Sequence, residues 1–213
     1  MLYDRSDVTQ IFVGYMFGID DSRVCRIIRR LEPILASVMT LQTCKKLSKE
    51  EVETLIVDAT EQSIERPKSG QKPYYFGKRK RHTLKTEIRV NPAGRIVHVS
   101  KRHPGSTHDF TVFKGEKRPL KESRLFVDSG YQGIQDIHPN ADFPDKTSKN
   151  KPLDAEEKEY YTALSRVRVV VEHIIGDLKT FKVLADRYRN KRQCYGVKFN
   201  IIARIVNLKN GFV

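Results

Sequence analysis

The chain has 213 residues, which allows one sizeable core with a small appendage and excludes two large domains. Hydrophobic residues make up 38% of it, so the composition excludes a disordered chain. Forty Lys and Arg against 26 Asp and Glu give a formal net charge of +14, which indicates nucleic acid as the partner, with a merely basic or ribosome-associated protein as the alternative.

The cysteine and hydropathy patterns bear on location. Cys25, Cys44 and Cys194 lie far apart with no C-x-x-C spacing, so neither a disulfide framework nor a zinc site is indicated. No secretion signal opens the chain, and no apolar run approaches the roughly 20 residues of a membrane helix. We therefore expect a soluble cytoplasmic protein that contacts no membrane.

Two short helices are predicted at the start of the chain. The first begins near Ser6 and ends before a glycine turn at 17–20, and Ser22 caps the second. Their apolar residues are Val8, Ile11, Phe12, Tyr15, Val24, Ile27, Ile28 and Leu31, and the second also carries Arg23, Arg26, Arg29 and Arg30. The pattern fits a helix-turn-helix whose second helix lies on DNA, and a purely structural hairpin equally well.

Local patterns predict most of the remaining elements. The first of these are a linker near 40–48, a helix start with a capping box at 48–51, and a hairpin of residues 82–90 and 95–101 around a type I turn at 91–94. The later ones are a surface loop at 136–154, a long helix from about 154 with an apolar stripe of Leu164, Val167, Val171, Ile174, Leu178 and Phe181, and a last helix at 195–208.

Two apolar runs each stop at an aspartate. Residues 55–57 precede Asp58, and residues 125–127 precede Asp128. Aspartate is rare inside strands, so the runs predict two core strands that end on these carboxylates, where α/β sheets build their sites. Either aspartate alone fits a turn or a helix cap better, and the repeated pattern favours a shared site.

The long helix offers a third acid. Glu172 lies four residues after Arg168 and seven before Lys179, and at about 100° per residue these side chains share one helical line. The three carboxylates together would suit Mg²⁺ ions that activate a water or a 3′-hydroxyl for phosphoryl transfer. Taken alone, the Arg168–Glu172 spacing fits an ion pair on a solvated face.

Several segments carry a resemblance that is specific in both content and order. They are VDATEQ at 57–62, RP at 66–67, YYFGKRKRHTLK at 74–85, GSTHD at 105–109, DSGYQG at 128–133, RVVVEH at 168–173 and YRN at 188–190. From about residue 8 to its end, the chain resembles the bacterial insertion-sequence transposases of the DDE superfamily.

The resemblance implies an α/β fold, with a ribonuclease-H-like mixed sheet flanked by helices at 46–213, preceded by a helix-turn-helix-like segment at 1–45. It implies that Asp58, Asp128 and Glu172 hold two Mg²⁺ ions, or Mn²⁺ in their place. The implied activity is cleavage at transposon ends and strand transfer of the 3′-hydroxyl into target DNA. The implied partners are DNA, namely the terminal inverted repeats and the target, and a second copy that forms a homodimer on DNA in the bacterial nucleoid.

The chain departs from the family pattern in two places. In the signature Tyr-x-x-Arg-x-x-x-Glu-x-x-x-x-x-x-Lys, Arg168, Glu172 and Lys179 fit, but Ser165 replaces the tyrosine. Met1 also begins almost within the helix-turn-helix-like segment, so we expect that part of the end-recognition region is missing. A truncated copy, or the downstream product of a split reading frame, would have this form.

Further residues are assigned to DNA binding. Lys78, Arg79, Lys80 and Arg81 are predicted to contact the DNA backbone, with a charged hairpin edge as the alternative. Arg187 and Arg189, with Lys191 and Arg192, form a weaker second patch, and Arg168 and Lys179 are expected to position phosphate.

Two alternative functions remain open. The first alternative is a DNA-binding remnant or regulator without chemistry, and the second is a ribonuclease-H-like nuclease without strand transfer.

Two histidines adjoin acidic residues in the sequence. His108 and Asp109 fit a helix cap better than a catalytic pair, and His173 points about 100° away from Glu172 on the helix.

Overall fold

The computed structural model describes residues 2–39, 41, 47–142 and 155–212, with side chains in the long helix described from residue 167 onward. The helices are α1 (Leu2–Ser6), α2 (Gln10–Phe17), α3 (Asp21–Val38), α4 (Lys49–Glu53), α5 (Asp109–Gly115), α6 (Ala155–Lys179), α7 (Lys182–Ala185) and α8 (Tyr195–Lys209). The strands are β1 (Thr54–Ser63), β2 (Tyr75–Phe76), β3 (Arg81–Val90), β4 (Ile96–Val99), β5 (His103–Pro104), β6 (Arg124–Phe126) and β7 (Ala141–Asp142).

The strands form one mixed sheet in the order β2-β3-β1-β6-β7, and β4 and β5 also pair with β3. Strands β1 and β3 are antiparallel, whereas β1, β6 and β7 run parallel. This arrangement agrees with the predicted mixed α/β class and is consistent with a ribonuclease-H-like fold.

Local sequence signals explain where α4 and the hairpin begin and end. The Ser48 hydroxyl accepts the Glu51 N–H, and the Glu51 carboxylate accepts the Ser48 N–H, so the predicted capping box forms at α4. Strands β3 and β4 pair around the predicted turn, in which the Gly94 N–H donates to the Asn91 carbonyl at 2.9 Å. Gly94 has φ +91°, a conformation that favours glycine.

Helices cover both faces of the sheet because the apolar residues of its strands alternate. In β1, Ile56 packs into one core, while Leu55 and Val57 pack into another. The core around Ile56 includes buried residues of α6 and α8, and the opposite core includes Phe113 of α5. Asp58 is two residues after Ile56 in the same strand, so its side chain lies on the same face, which α6 covers.

Several predicted boundaries are wrong. Strand β1 does not end at Asp58 but continues to Ser63, because β3 pairs with it along that whole length. Residues 141–142, assigned to a surface loop, form strand β7 beside β6. Residues 143–154 of that loop, and most of the linker predicted near 40–48, lie outside the described residues.

The N-terminal prediction holds for two helices joined at Gly18, but not for their details. Helix α3 is capped by Asp20 rather than Ser22, since the Asp20 carboxylate accepts the Ser22 N–H at 2.6 Å. The apolar residues of α2 form no core: Tyr15 is 86% exposed and Ile11 is 70% exposed. The pairing of α2 with α3 does not by itself identify a helix-turn-helix. Within the described part of the chain, no helix has the length and hydropathy needed to cross a membrane.

Candidate active site

The two aspartates belong to neighbouring parallel strands: Asp58 lies within β1, and Asp128 lies two residues after the end of β6. The register of β1 and β6 pairs Ile56 with Phe126, and Asp58 and Asp128 each lie two residues beyond that pair, close enough for the Asp128 charge to raise the pKa of Asp58. Strand β6 stops at Phe126, so beyond it this edge of β1 opens into a cleft. The sequence therefore predicts the neighbourhood correctly, although Asp58 lies within its strand and not at its end.

Asp58 is a half-buried carboxyl group with few polar contacts. Among the described residues its carboxylate accepts one hydrogen bond, from the Ala59 N–H at 2.8 Å. Burial, assisted by the charges of Asp128 and Asp109, raises the pKa of Asp58 to about 6, although the Ala59 hydrogen bond and the Arg168 charge oppose the shift. A cation bound here would offset the cost of burying this charge.

Asp128 lies in a tight turn after β6. Its carboxylate accepts the Gly130 N–H at 2.7 Å and caps a 3-10 turn that ends at Tyr131. A Cβ atom on Gly130 would lie 2.8 Å from Asp128 Oδ1 and 2.6 Å from Asp109 Oδ2. Gly130 therefore allows two carboxylates from separate segments to approach the same point.

Helix α6 brings Glu172 to the cleft. Glu172 is exposed there and lines the cleft with Asp58 and Lys179. Arg168, one turn earlier, is half-buried and near enough to Asp58 to lower its pKa. Burial and the charge of Arg79 lower the pKa of Lys179, while Asp58 and Glu61 oppose that shift. The predicted helical line of Arg168, Glu172 and Lys179 thus faces the acids.

The cleft contains a buried lysine that sequence reasoning missed. Lys85 of β3 is 5% exposed, and its Nζ lies 2.7 Å from Asp109 Oδ1, 2.9 Å from the Thr107 carbonyl oxygen and 3.5 Å from Glu61 Oε1. His108 occupies the cap position of α5 but makes no side-chain capping hydrogen bond. The cap interpretation of His108 and Asp109 is therefore wrong for their side chains, and both residues line the cleft.

The open cleft has a volume of about 660 Å³ and mixed charge. Of the predicted run 78–81, Lys78 and Arg79 line it, whereas Lys80 and Arg81 do not. Arg187 is exposed and lies outside the cleft lining, and Arg189 forms an ion pair with Asp7 at 2.9 Å.

The donor chemistry of the site fits a hard divalent cation, because Asp58, Asp128 and Glu172 offer only carboxylate oxygens. The three carboxylates do not converge closely enough to form a complete set of metal ligands. Within the described residues, no three His, Cys, Asp or Glu side chains are grouped closely enough to hold a metal ion.

Comparison with known proteins gives the family. Residues 57–208 match the family described as DDE superfamily endonuclease. Over 210 residues, the chain is 37% identical to the probable transposase for insertion sequence element IS702 of Microchaete diplosiphon, covering 96% of this chain and 76% of that relative. Over 187 residues, it is 27% identical to the putative transposase for insertion sequence element IS112 of Streptomyces albus G, covering 86% of this chain and 68% of that relative.

No solved structure matches the chain. The matched region begins one residue before Asp58 and contains Asp128 and Glu172. The resemblance seen in the sequence motifs is thereby confirmed. The chain belongs to the DDE superfamily of endonucleases, among the transposases of bacterial insertion sequences.

Proposed function

We propose that the protein cleaves DNA at the ends of its element and joins the freed 3′-hydroxyl to target DNA. Asp58, Asp128 and Glu172 are the proposed catalytic residues. One observation carries the proposal: Asp58 lies in β1, Asp128 lies in the turn just after the parallel neighbour β6, and α6 brings Glu172 into the cleft lined by Asp58.

In this proposal the three carboxylates hold two Mg²⁺ ions, or Mn²⁺ in their place. When bound, such ions would activate the water or 3′-hydroxyl that attacks phosphorus, and they would stabilise the leaving oxygen. Arg168 and Lys179 orient the phosphate oxygens, because both cations lie on the helical line of Glu172 and face Asp58. The Lys85–Asp109 ion pair holds one wall of the cleft in place.

DNA binding is proposed for the cations around the cleft. Lys78, Arg79 and Lys179 line it, Lys80 and Arg81 continue the same segment, and Arg187 and Arg189 are assigned to flanking DNA. All four arginines of α3 are exposed, which supports a contact of residues 1–45 with the terminal inverted repeats while residues 46–213 act as the catalytic domain. A homodimer on DNA, acting in the nucleoid, completes the proposal.

The decisive experiment removes one charge from the site without changing its shape. Asp58→Asn and Glu172→Gln should each lower Mg²⁺-dependent nicking of plasmid DNA at least about 100-fold, because metal catalysis supplies several kcal/mol. Thermal melting and DNA binding should stay close to wild type. Asp136→Asn, at an exposed carboxylate outside the cleft, is the matched control and should nick normally. Undiminished nicking in either variant would remove that residue from the mechanism.

A second candidate is a DNA-binding regulator that performs no chemistry, which the net charge of +14 and the cations of the cleft support equally well. It predicts salt-sensitive DNA association and no Mg²⁺-dependent nicking in the unmodified protein. A third measurement distinguishes a transposase from a nuclease without strand transfer. A transposase should join a labelled oligonucleotide with a free 3′-hydroxyl to plasmid DNA, and such a nuclease should not.

A further inference from the structure

A second cleft adjoins the candidate active site. It has a volume of about 780 Å³, within the range of about 300–1,000 Å³ that is typical of small-molecule sites. Its lining residues are Arg66, Gln71, Lys72, Tyr75, His82 and Ser106. Ser106 also lines the active-site cleft, so the two clefts meet at this residue.

Strand β2 is the wall between the two clefts. It is the edge strand of the sheet, and its two side chains point to opposite sides, as alternation in a strand requires. Phe76 lines the active-site cleft, where Lys85 Nζ lies 5.6 Å from its ring centre, whereas Tyr75 lines the second cleft. A strand of DNA that leaves the carboxylates on the β2 side would therefore reach Tyr75 next.

Hydrogen bonds fix this wall in position. The backbone N–H and the side-chain hydroxyl of Ser106 both donate to the Pro73 carbonyl, at 3.0 and 2.6 Å. Strand β2 pairs with β3, which places Tyr75 opposite His82. These contacts order the wall of the second cleft, so a ligand bound there would cause little further ordering of β2.

The lining combines an aromatic surface with positive charge. The Tyr75 side chain is 46% exposed although its ring packs roughly at right angles to the His82 ring, with 5.5 Å between ring centres. Arg66 and Lys72 are both exposed. Arg66 Nε donates to Gln71 Oε1 at 2.9 Å, which orients its guanidinium group. An exposed aromatic ring with cations beside it is the combination that holds an unpaired nucleotide, by stacking on the base and by attraction to the phosphate.

We propose that this second cleft binds one unstacked nucleotide of the DNA strand that adjoins the cleavage site. The base stacks on Tyr75, and Arg66 and Lys72 hold the neighbouring phosphates. The placement beside the cleavage site rests on the proposed function, but the binding itself needs no metal and no cleavage.

Two probes of equal charge test the role of the base. A fluorescein-labelled oligothymidylate and an abasic oligonucleotide of the same length carry the same phosphates, and only the first has bases. Binding is followed by fluorescence anisotropy in EDTA. Tyr75→Ala should weaken oligothymidylate binding by about fivefold or more, while affinity for the abasic probe changes less than about twofold. Tyr75→Phe keeps the ring and should bind both probes like wild type.

Further variants separate stacking from other causes. Arg66→Gln should weaken both probes alike and reduce the salt dependence of binding by about one phosphate contact. Leu120→Ala, at an exposed side chain outside both clefts, is the control and should change neither affinity. If Tyr75→Ala unfolds, Tyr75→Leu keeps the bulk without the ring and gives the same distinction.

Three results would overturn the proposal: equal wild-type affinity for the two probes, equal loss on both probes in Tyr75→Ala, or no binding of the oligothymidylate. None of them depends on Asp58, so the failure of this proposal and the failure of the proposed catalysis are distinguishable. Loss of nicking in Asp58→Asn with normal probe binding would support both proposals. It would show that cleavage requires Asp58 and that the second cleft binds DNA independently of it.

Discussion

The N-terminal helices and the sheet are held in place by different forces. The sheet buries two apolar cores, in which Ile88, Phe113 and Leu125 are fully buried. Helices α2 and α3 together bury only Gly14 and Val24, and most of their large apolar side chains are exposed. The sheet is thus stabilised by removal of apolar surface from water, and the N-terminal helices, α1 included, depend more on a few polar contacts.

Those polar contacts are concentrated at α8 and at the segment before it. Lys198 of α8 is 4% exposed and forms ion pairs with Asp4 and Glu32. The Tyr3 hydroxyl donates to Asn190 at 2.9 Å. A buried ammonium group needs such partners, so these ion pairs fix the position of the helices more than they add to the stability of the whole chain.

The largest expected effect comes from the core of the sheet. Phe113→Ala should lower the free energy of unfolding by about 3–5 kcal/mol. The ring is 0% exposed, meets Tyr131 edge-on with 6.3 Å between ring centres, and lies 4.9 Å from the Arg89 guanidinium carbon. Urea denaturation measures the loss. Leu208→Ala, at a side chain that is 39% exposed, is the control and should cost far less. Similar losses in both variants would mean that the core beside α5 contributes no more than the surface.

Breaking the N-terminal ion pairs should have a smaller and more local effect. Asp4→Asn combined with Glu32→Gln leaves the Lys198 ammonium group buried without a charged partner, at a cost of about 1–3 kcal/mol. Hydrogen exchange should speed up in α3 and stay unchanged in β1 and β3, because the sheet has its own cores.

Asp177→Asn is the matched control for that variant. It removes an ion pair with Lys209, 3.1 Å long, whose lysine side chain is 62% exposed, so exchange in α3 should not change. Faster exchange in β1 or β3 of the double variant would show that the helices and the sheet unfold as one unit.

The same contrast explains what could be predicted from the sequence. The capping box at Ser48 and the turn at Gly94 form as predicted, because each depends on residues a few positions apart. The closeness of the two aspartates was also predicted, since each follows an apolar run that forms a core strand. Asp58 was predicted at the end of its strand, whereas the strand continues to Ser63. The continuation depends on pairing of β1 with β3, whose residues lie 20 to 30 positions away in the sequence.

The missed residues of the site share one cause. Asp109 looked like a helix cap because its local sequence fits one, while its partner Lys85 lies 24 positions earlier on another element. Their one signal was membership of the motifs at 74–85, 105–109 and 128–133, and Gly130 in the last of these leaves room for a second carboxylate beside Asp128. The exposed side of α2 was missed for a related reason: spacing shows which residues share a face, but not whether another element covers it.

The smallest expected effect tests the exposed end of the comparison. Tyr15→Ser should change the free energy of unfolding by less than about 0.5 kcal/mol, since its side chain is 86% exposed. Phe17→Ser, at 63% exposed, should behave alike. Urea denaturation at several protein concentrations gives the measurement. A loss above about 1 kcal/mol in either variant would contradict the difference between the N-terminal helices and the sheet, because these rings would then contribute to stability as the buried Phe113 does.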